Sequence, residues 1–289
     1  MMKNKKVLQA LRAETVNMGG IPIKQALPTQ QVEQIDPFLL LHHGSFPIKK
    51  DQKALHQGVG PHPHRGFSPV SFVLNGEVHH RDSLGNSSII SKGGIQWVNA
   101  GRGIVHSERP SEELVESAEP MEVIQLWINV PAEKKMEPAS YYAYQKEELP
   151  EVNLGEGVKA KVISGRLAGV SGKVPAKSEM TIAWIYFDAN SKAVLPVNPD
   201  HNFALYIPKG SGKIEGYGLV ESEHLFNFST EGDRVVFESN EPTQLIFLSA
   251  SPIDESLATY GPFVMNNQTE IMEAMRDYQS GKMGVLIEE

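Results

Sequence analysis

The chain has 289 residues, 40% of them hydrophobic and 21% charged, and a formal net charge of −8, a composition that fits a globular protein of two ordinary domains or one large β domain. The acidic balance argues against direct nucleic-acid binding, which asks for a basic surface. With no cysteine, disulfides, iron–sulfur clusters and cysteine–zinc sites are excluded, so any metal must sit on His, Asp or Glu.

The first ten residues are basic, but the apolar stretch after Lys5-Lys6 is too short and polar for a signal peptide. No run reaches the length of a membrane span, so a cytoplasmic protein with no membrane contact is expected. From about residue 7 to 251, short apolar runs alternate with glycine, proline and asparagine. Residues 69–80 read as a hairpin turning at Asn75-Gly76. Strands are expected at 88–91, 95–99, 104–108 and 121–130, the pattern of an antiparallel barrel or sandwich. Residues 131–150, with Pro138 and a tyrosine cluster (Tyr141, Tyr142, Tyr144), read as a linker. Strand rhythm returns at 158–164, 181–187, 203–207, 234–237 and 245–248. Phe203 to Ile207 leading into Gly210 echoes Ser71 to Leu74 leading into Gly76, which suggests two related β domains. Residues 269–280 fit an amphipathic helix with Ile271, Ala274, Met275 and Tyr278 on one face, Asn267 as cap and Gly281 as stop.

The chemistry concentrates in His62-Pro63-His64 and His106-Ser107-Glu108. Side chains at i and i+2 of a strand point the same way. Two such strands side by side aim His62, His64, His106 and Glu108 at one point, a donor set that suits a first-row transition metal. Pro63 lacks an amide proton and places its strand at an edge or mouth. Taken singly, each pair reads better as a polar loop or a hydrogen-bonded histidine; together they favour a site. No His-x-His or His-x-Glu follows Glu108, and the register that sets Gly210 over Gly76 puts Pro196 and Asn198 where His62 and His64 stand. His79-His80 read as solvated, His42, His43 and His56 as exposed, and Gly101-Arg102-Gly103 as a tight loop.

The runs GPHPHRGF, NGEVHHRDSLGN and QWVNAGRGIVHSERP between residues 60 and 110 resemble the signature of the pirin family, a branch of the cupins. The resemblance extends over the opening Ile35-Asp36-Pro37-Phe38 and the closing Gly261-Pro262-Phe263-Val264. It implies an all-β bicupin: two antiparallel, jelly-roll-like barrels face to face, with a C-terminal helix. Residues 1–135 would be the N-terminal cupin domain carrying the metal, and 136–289 a metal-free C-terminal one ending in the helix. The implied ligands are His62, His64, His106 and Glu108. The implied metal is one divalent ion, iron first, although the donor set also accepts Mn, Ni, Co, Cu or Zn. The implied activity is that of a quercetin 2,3-dioxygenase acting on a flavonol-like substrate and O₂, with Glu108 both ligating the metal and accepting the hydroxyl proton. No substrate-binding residues are assigned, though Phe67, Phe72 and Trp97 are candidate apolar walls. Where pirins carry Glu-Thr, this chain has Ser68-Pro69, which implies retained metal binding but one carboxylate fewer near the site. The competing reading is a non-catalytic metal-dependent redox sensor or regulator acting through a protein partner. A sugar isomerase has no supporting motif.

Overall fold

The computed structural model describes residues 3–288. Nearly every expected strand forms, and the named ladders between strands are antiparallel. The chain divides into two compact units. One gathers the N-terminal segment up to Val16 with Lys24–Leu40 and Leu149–Pro252; the other gathers Asn17–Ile23, Leu41–Glu148 and the segment from Ile253 onward. These units cross the 135/136 boundary drawn from sequence. The Val7–Arg12 strand pairs with His224–Phe228, while the C-terminal helix packs beside the strand that carries His106. No helix among the described residues is long and apolar enough to cross a membrane.

Each unit holds a four-stranded sheet of the same connectivity. In one the order is Val59–His64, Ile104–Arg109, Glu77–Asp82, Ser87–Ser91; in the other it is Lys192–Pro196, Arg234–Ser239, Ser211–Ile214, Gly218–Glu221. The repeat read from the glycine turns is therefore a repeat of topology. Proline falls on the edge strand in both sheets, at Pro63 and Pro196, where a missing amide proton leaves no ladder bond unmade.

The two cores differ in chemistry. The unit built on Leu149–Pro252 is filled by apolar side chains, with Leu195, Ile214, Val235 and Phe237 meeting Ala183, Ile185 and Leu205. Its sister keeps an apolar cluster at one end, around Val73, Val78 and Ile90, and a polar interior beyond it.

Two sequence expectations are corrected. Residues 140–144 are not linker: Ser140–Tyr144 is a strand paired with Ile95–Asn99, and the Tyr141 hydroxyl meets Ser88 Oγ at 2.6 Å. The helix runs Gln268–Gln279 with Asn267 as its cap, as expected, but it belongs to the unit that carries His62, His64 and His106. There Asp277 Oδ2 accepts from both terminal guanidinium nitrogens of Arg65, at 3.0 and 3.1 Å, so the helix braces the residue next to His64. Gly66 follows at φ +84°, and a Cβ there would run into the Val264 carbonyl, which explains glycine at this bend.

Candidate metal centre

His106 sits directly opposite His62 in the ladder between Ile104–Arg109 and Val59–His64. Strand alternation then brings His64 to the same face. Ring centroids are 4.3 Å apart for His62 and His106, 4.7 Å for His62 and His64, and 4.9 Å for His64 and His106. One ligand atom from each of the three lies within 4.8 Å of the others, a grouping able to hold a metal ion.

Burial makes the grouping informative. His64 and His106 are 2% and 1% exposed, yet Nε2 of His106 has no hydrogen-bond partner, and the ring nitrogens of His64 make no well-formed hydrogen bond, the Pro262 backbone beside them included. A buried polar nitrogen left unpaired costs about 1–3 kcal/mol, and a metal ion is the partner that three convergent imidazoles accept in common. Burial, reinforced by the neighbouring imidazoles, holds His64 and His106 well below the ordinary histidine pKa. At neutral pH both therefore offer lone pairs. Nδ1 of His62 is 2.8 Å from the Gly60 carbonyl, which orients its Nε2 as the free donor. The residues present fit a metal.

Glu108 lies two residues beyond His106 on the same strand, but it is not among the three clustered groups. Its Oε1 accepts from Ser71 Oγ at 2.8 Å and from Gln96 Nε2. Ser71 Oγ in turn accepts from Gln96 and Gln125. Strands distant in sequence thus fix the carboxylate through one oxygen.

Several other sequence readings change. His80 is not solvated: it is wholly buried, with Nε2 3.0 Å from Asp82 Oδ2 and Nδ1 3.4 Å from His106 Nδ1. His79 alone reaches the surface side, at Ser87. His43 is buried against Glu122 at 2.9 Å, and His42 is half-buried, its pKa pushed down to about 4 by burial; only His56 is exposed. Of the candidate walls, Phe67 touches a clustered imidazole, 5.1 Å from His64. Trp127, absent from the sequence reading, packs on the same ring at 5.6 Å and on Phe67 at 4.5 Å, and its buried Nε1 has no partner. Ser68 alternates to the face opposite Phe67 and Ser71 and donates to Asn99 Oδ1. The side chain at 68 therefore points away from the imidazoles, and serine there removes no group from among them.

In the sister unit the ladders fix the equivalent positions. Four residues beyond the turn glycine, His80 corresponds to Ile214; their ladder partners are Glu108 and Phe237. Two residues back, His106 corresponds to Val235, whose partner Leu195 stands for His62, and Val197 stands for His64. The sequence register, which chose Pro196 and Asn198, was one residue off, and a one-residue slip exchanges the two faces of a strand. All five positions are buried and carry no donor atom.

Residues 20–128 match the family model Pirin, and residues 183–284 match the Pirin C-terminal cupin domain. A Pseudomonas aeruginosa protein named "Putative quercetin 2,3-dioxygenase" is 36% identical, the alignment covering 92% of this chain and 93% of that one. Human pirin is 31% identical over 98% and 96%. Among solved structures, a quercetin 2,3-dioxygenase from Acinetobacter baumannii superposes with a TM-score of 0.90 at 32% identity, covering 99% of this chain and all of that one. A bacterial pirin from Escherichia coli, solved in complex with nickel(II), shares the fold at a TM-score of 0.68 and 16% identity, covering 84% of this chain and 99% of that one. With models matched in both halves and relatives aligned over nearly its whole length, the chain belongs to the pirin family and carries two cupin domains.

Proposed function

We propose that the chain is a mononuclear metal-dependent oxygenase of the quercetin 2,3-dioxygenase type, opening a flavonol or related phenolic ring with O₂. The observation that carries the reading is the convergence of three imidazoles, of which His64 and His106 are buried with ring nitrogens that make no well-formed hydrogen bond. The quercetin dioxygenase names of the sequence and structural relatives supply the substrate class. When bound, a divalent first-row ion, iron first, supplies a centre to which a substrate oxygen and O₂ can both be drawn.

The chain's own residues do the rest. His62, His64 and His106 hold the ion, and Glu108 completes the set as fourth ligand. Ser71 and Gln96 occupy Oε1 of Glu108, which leaves Oε2 as the oxygen that would hold the ion and would accept the 3-hydroxyl proton of the substrate. A carboxylate has lone pairs for both tasks. Phe67 and Trp127 wall the His64 side and limit water there, and the unpartnered Trp127 Nε1–H offers a donor to a substrate oxygen.

Protein loaded anaerobically with Fe(II), Mn(II), Ni(II) or Co(II) is mixed with quercetin and O₂, and flavonol absorbance and carbon monoxide are followed. Turnover with at least one metal is expected; none with any of the four overturns the oxygenase reading. Glu108→Gln is expected to abolish turnover while weakening metal retention less than His106→Ala. The near-complete burial of His64 and His106 favours, as second reading, a metal-dependent regulator acting through a protein partner. Stoichiometric metal without turnover, together with a stable partner in a pull-down, is its signature.

A further inference from the structure

His80 and Asp82 stand behind the three-histidine cluster, and the side chains of both are fully buried. The Asp82 carboxylate is held on every side. Its Oδ1 accepts from the backbone amides of Leu84 and Asn86, at 2.9 and 3.0 Å. Its Oδ2 accepts from Asn86 Nδ2 at 2.8 Å and faces His80 Nε2 at 3.0 Å. An ionised carboxylate only accepts, so the proton of a neutral His80 sits on Nε2 and its Nδ1 is bare. That bare nitrogen faces Nδ1 of His106 at 3.4 Å. Two facing ring nitrogens attract only when one of them carries the proton, so the His106 proton sits on Nδ1. Its Nε2, the buried nitrogen without a partner, is then left as a lone pair aimed into the cluster. Tyr141 stacks on the His80 ring at 3.9 Å and 6° and keeps it from turning.

We propose that Asp82 and His80 are positioning residues that fix the tautomer of His106 for metal binding through a relay of two imidazoles. The proposal rests on the reading of the three histidines as metal ligands. His80 is not itself a fourth imidazole ligand, because both its nitrogens are engaged, one by Asp82 and the other by His106. Histidine ligands commonly pass their second nitrogen to a carboxylate or carbonyl. Here a second imidazole stands between ligand and carboxylate, so the charge on Asp82 acts on the site only through a chain of proton positions.

That chain gives Asp82→Asn a defined consequence. Two backbone amides demand an acceptor at the Oδ1 position, so the new amide nitrogen must take the Oδ2 position, facing His80, and the Asn86 amide turns to offer its oxygen instead of its nitrogen. His80 then moves its proton to Nδ1, and His106 must either oppose it N–H to N–H or give up its Nε2 lone pair. Histidine-selective ¹⁵N labelling and long-range ¹H–¹⁵N spectra of the metal-free, unmodified protein read the tautomers directly. The expected pattern is Nε2–H at His80 and Nδ1–H at His106; the reverse at either ring overturns the relay. Zinc(II) and nickel(II) titrations under chelator competition are expected to show Asp82→Asn binding about 10–100-fold more weakly, with the His80 tautomer switched. Equal affinity with unchanged tautomers overturns the proposal. His80→Phe keeps the stack on Tyr141 but leaves Asp82 Oδ2 and His106 Nδ1 without their partner. It is expected to melt lower while keeping the folded circular dichroism spectrum and to bind the ions more weakly, and wild-type affinity in this variant counts against the relay. Failure of the unmodified protein to bind either ion sinks the metal reading, while the spectra judge the tautomer assignment on their own.

Discussion

His62 and His106 face each other across one rung of an antiparallel ladder, and their rings stand 4.3 Å apart. Two imidazoles are pressed together by backbone pairing, at a place where neither finds a hydrogen-bond donor within the cluster. The strand geometry thus creates a shortage of partners that a cation can relieve.

Removing one of these rings should therefore cost metal before it costs fold. His106→Ala is expected to lower nickel or zinc affinity more than about 100-fold, beyond the range for a residue behind the ligands. The metal-free protein should melt close to the unmodified one, since the deletion also removes an unpaired buried nitrogen. Chelator-competition titration and differential scanning calorimetry check the two halves of this prediction.

Ser71 is the hub that orients Glu108, donating to it while accepting from Gln96 and Gln125. Ser71→Ala leaves the amides of buried Gln96 and half-buried Gln125 short of an acceptor and is expected to destabilise the protein by about 1–3 kcal/mol. Urea denaturation measures that loss. If orientation of Glu108 matters to turnover, kcat should fall further than metal affinity does.

Lys135 is a buried cation, and Nζ donates to the Gly66 carbonyl at 2.7 Å, Asn129 Oδ1 at 2.7 Å and the Val264 carbonyl at 3.1 Å. It pins the bend between His64 and Phe67 to the C-terminal segment. Lys135→Met strands three buried acceptors and is expected to cost about 3 kcal/mol or more, read from the urea midpoint. Metal affinity should fall with it, because the bend that aims His64 is no longer held.

Acid should unfold the metal-free protein early. Burial holds His42 down to about 4, and it keeps His64 and His106 well below their ordinary value. The unfolded chain takes up protons on these rings near pH 6.5 while the folded chain does not, so the unfolded state binds more protons and stability falls as pH drops from about 6.5 toward 4. For His42 alone the loss amounts to up to about 3 kcal/mol across that window. Urea midpoints measured from pH 7 to 4.5 should decline steadily; a flat profile contradicts it.

How much of this was legible in the sequence follows from the range of each interaction. Alternation along a strand is local, so His62-Pro63-His64 and His106-Ser107-Glu108 declared their shared faces, and Pro63 declared an edge. The helix was legible through Asn267 and its apolar spacing. His80 was not, because a polar pair after a hairpin turn looks exposed until the ladder with Ile104–Arg109 covers it. Trp127 and the ties of Glu108 to Ser71 and Gln96 depend on strands meeting across the interior, which no local pattern encodes. The register of the second cupin domain slipped by one residue because a glycine turn marks where a hairpin bends, but not which residue of the distant edge strand pairs with it.

The most direct test is an anomalous-difference map, recorded at the metal's absorption edge from crystals of the protein loaded with one equivalent of nickel(II) or iron(II). The account predicts a single peak about 2.0–2.2 Å from Nε2 of His62, Nε2 of His106 and a ring nitrogen of His64. An absent peak, or one away from these three rings, would contradict it.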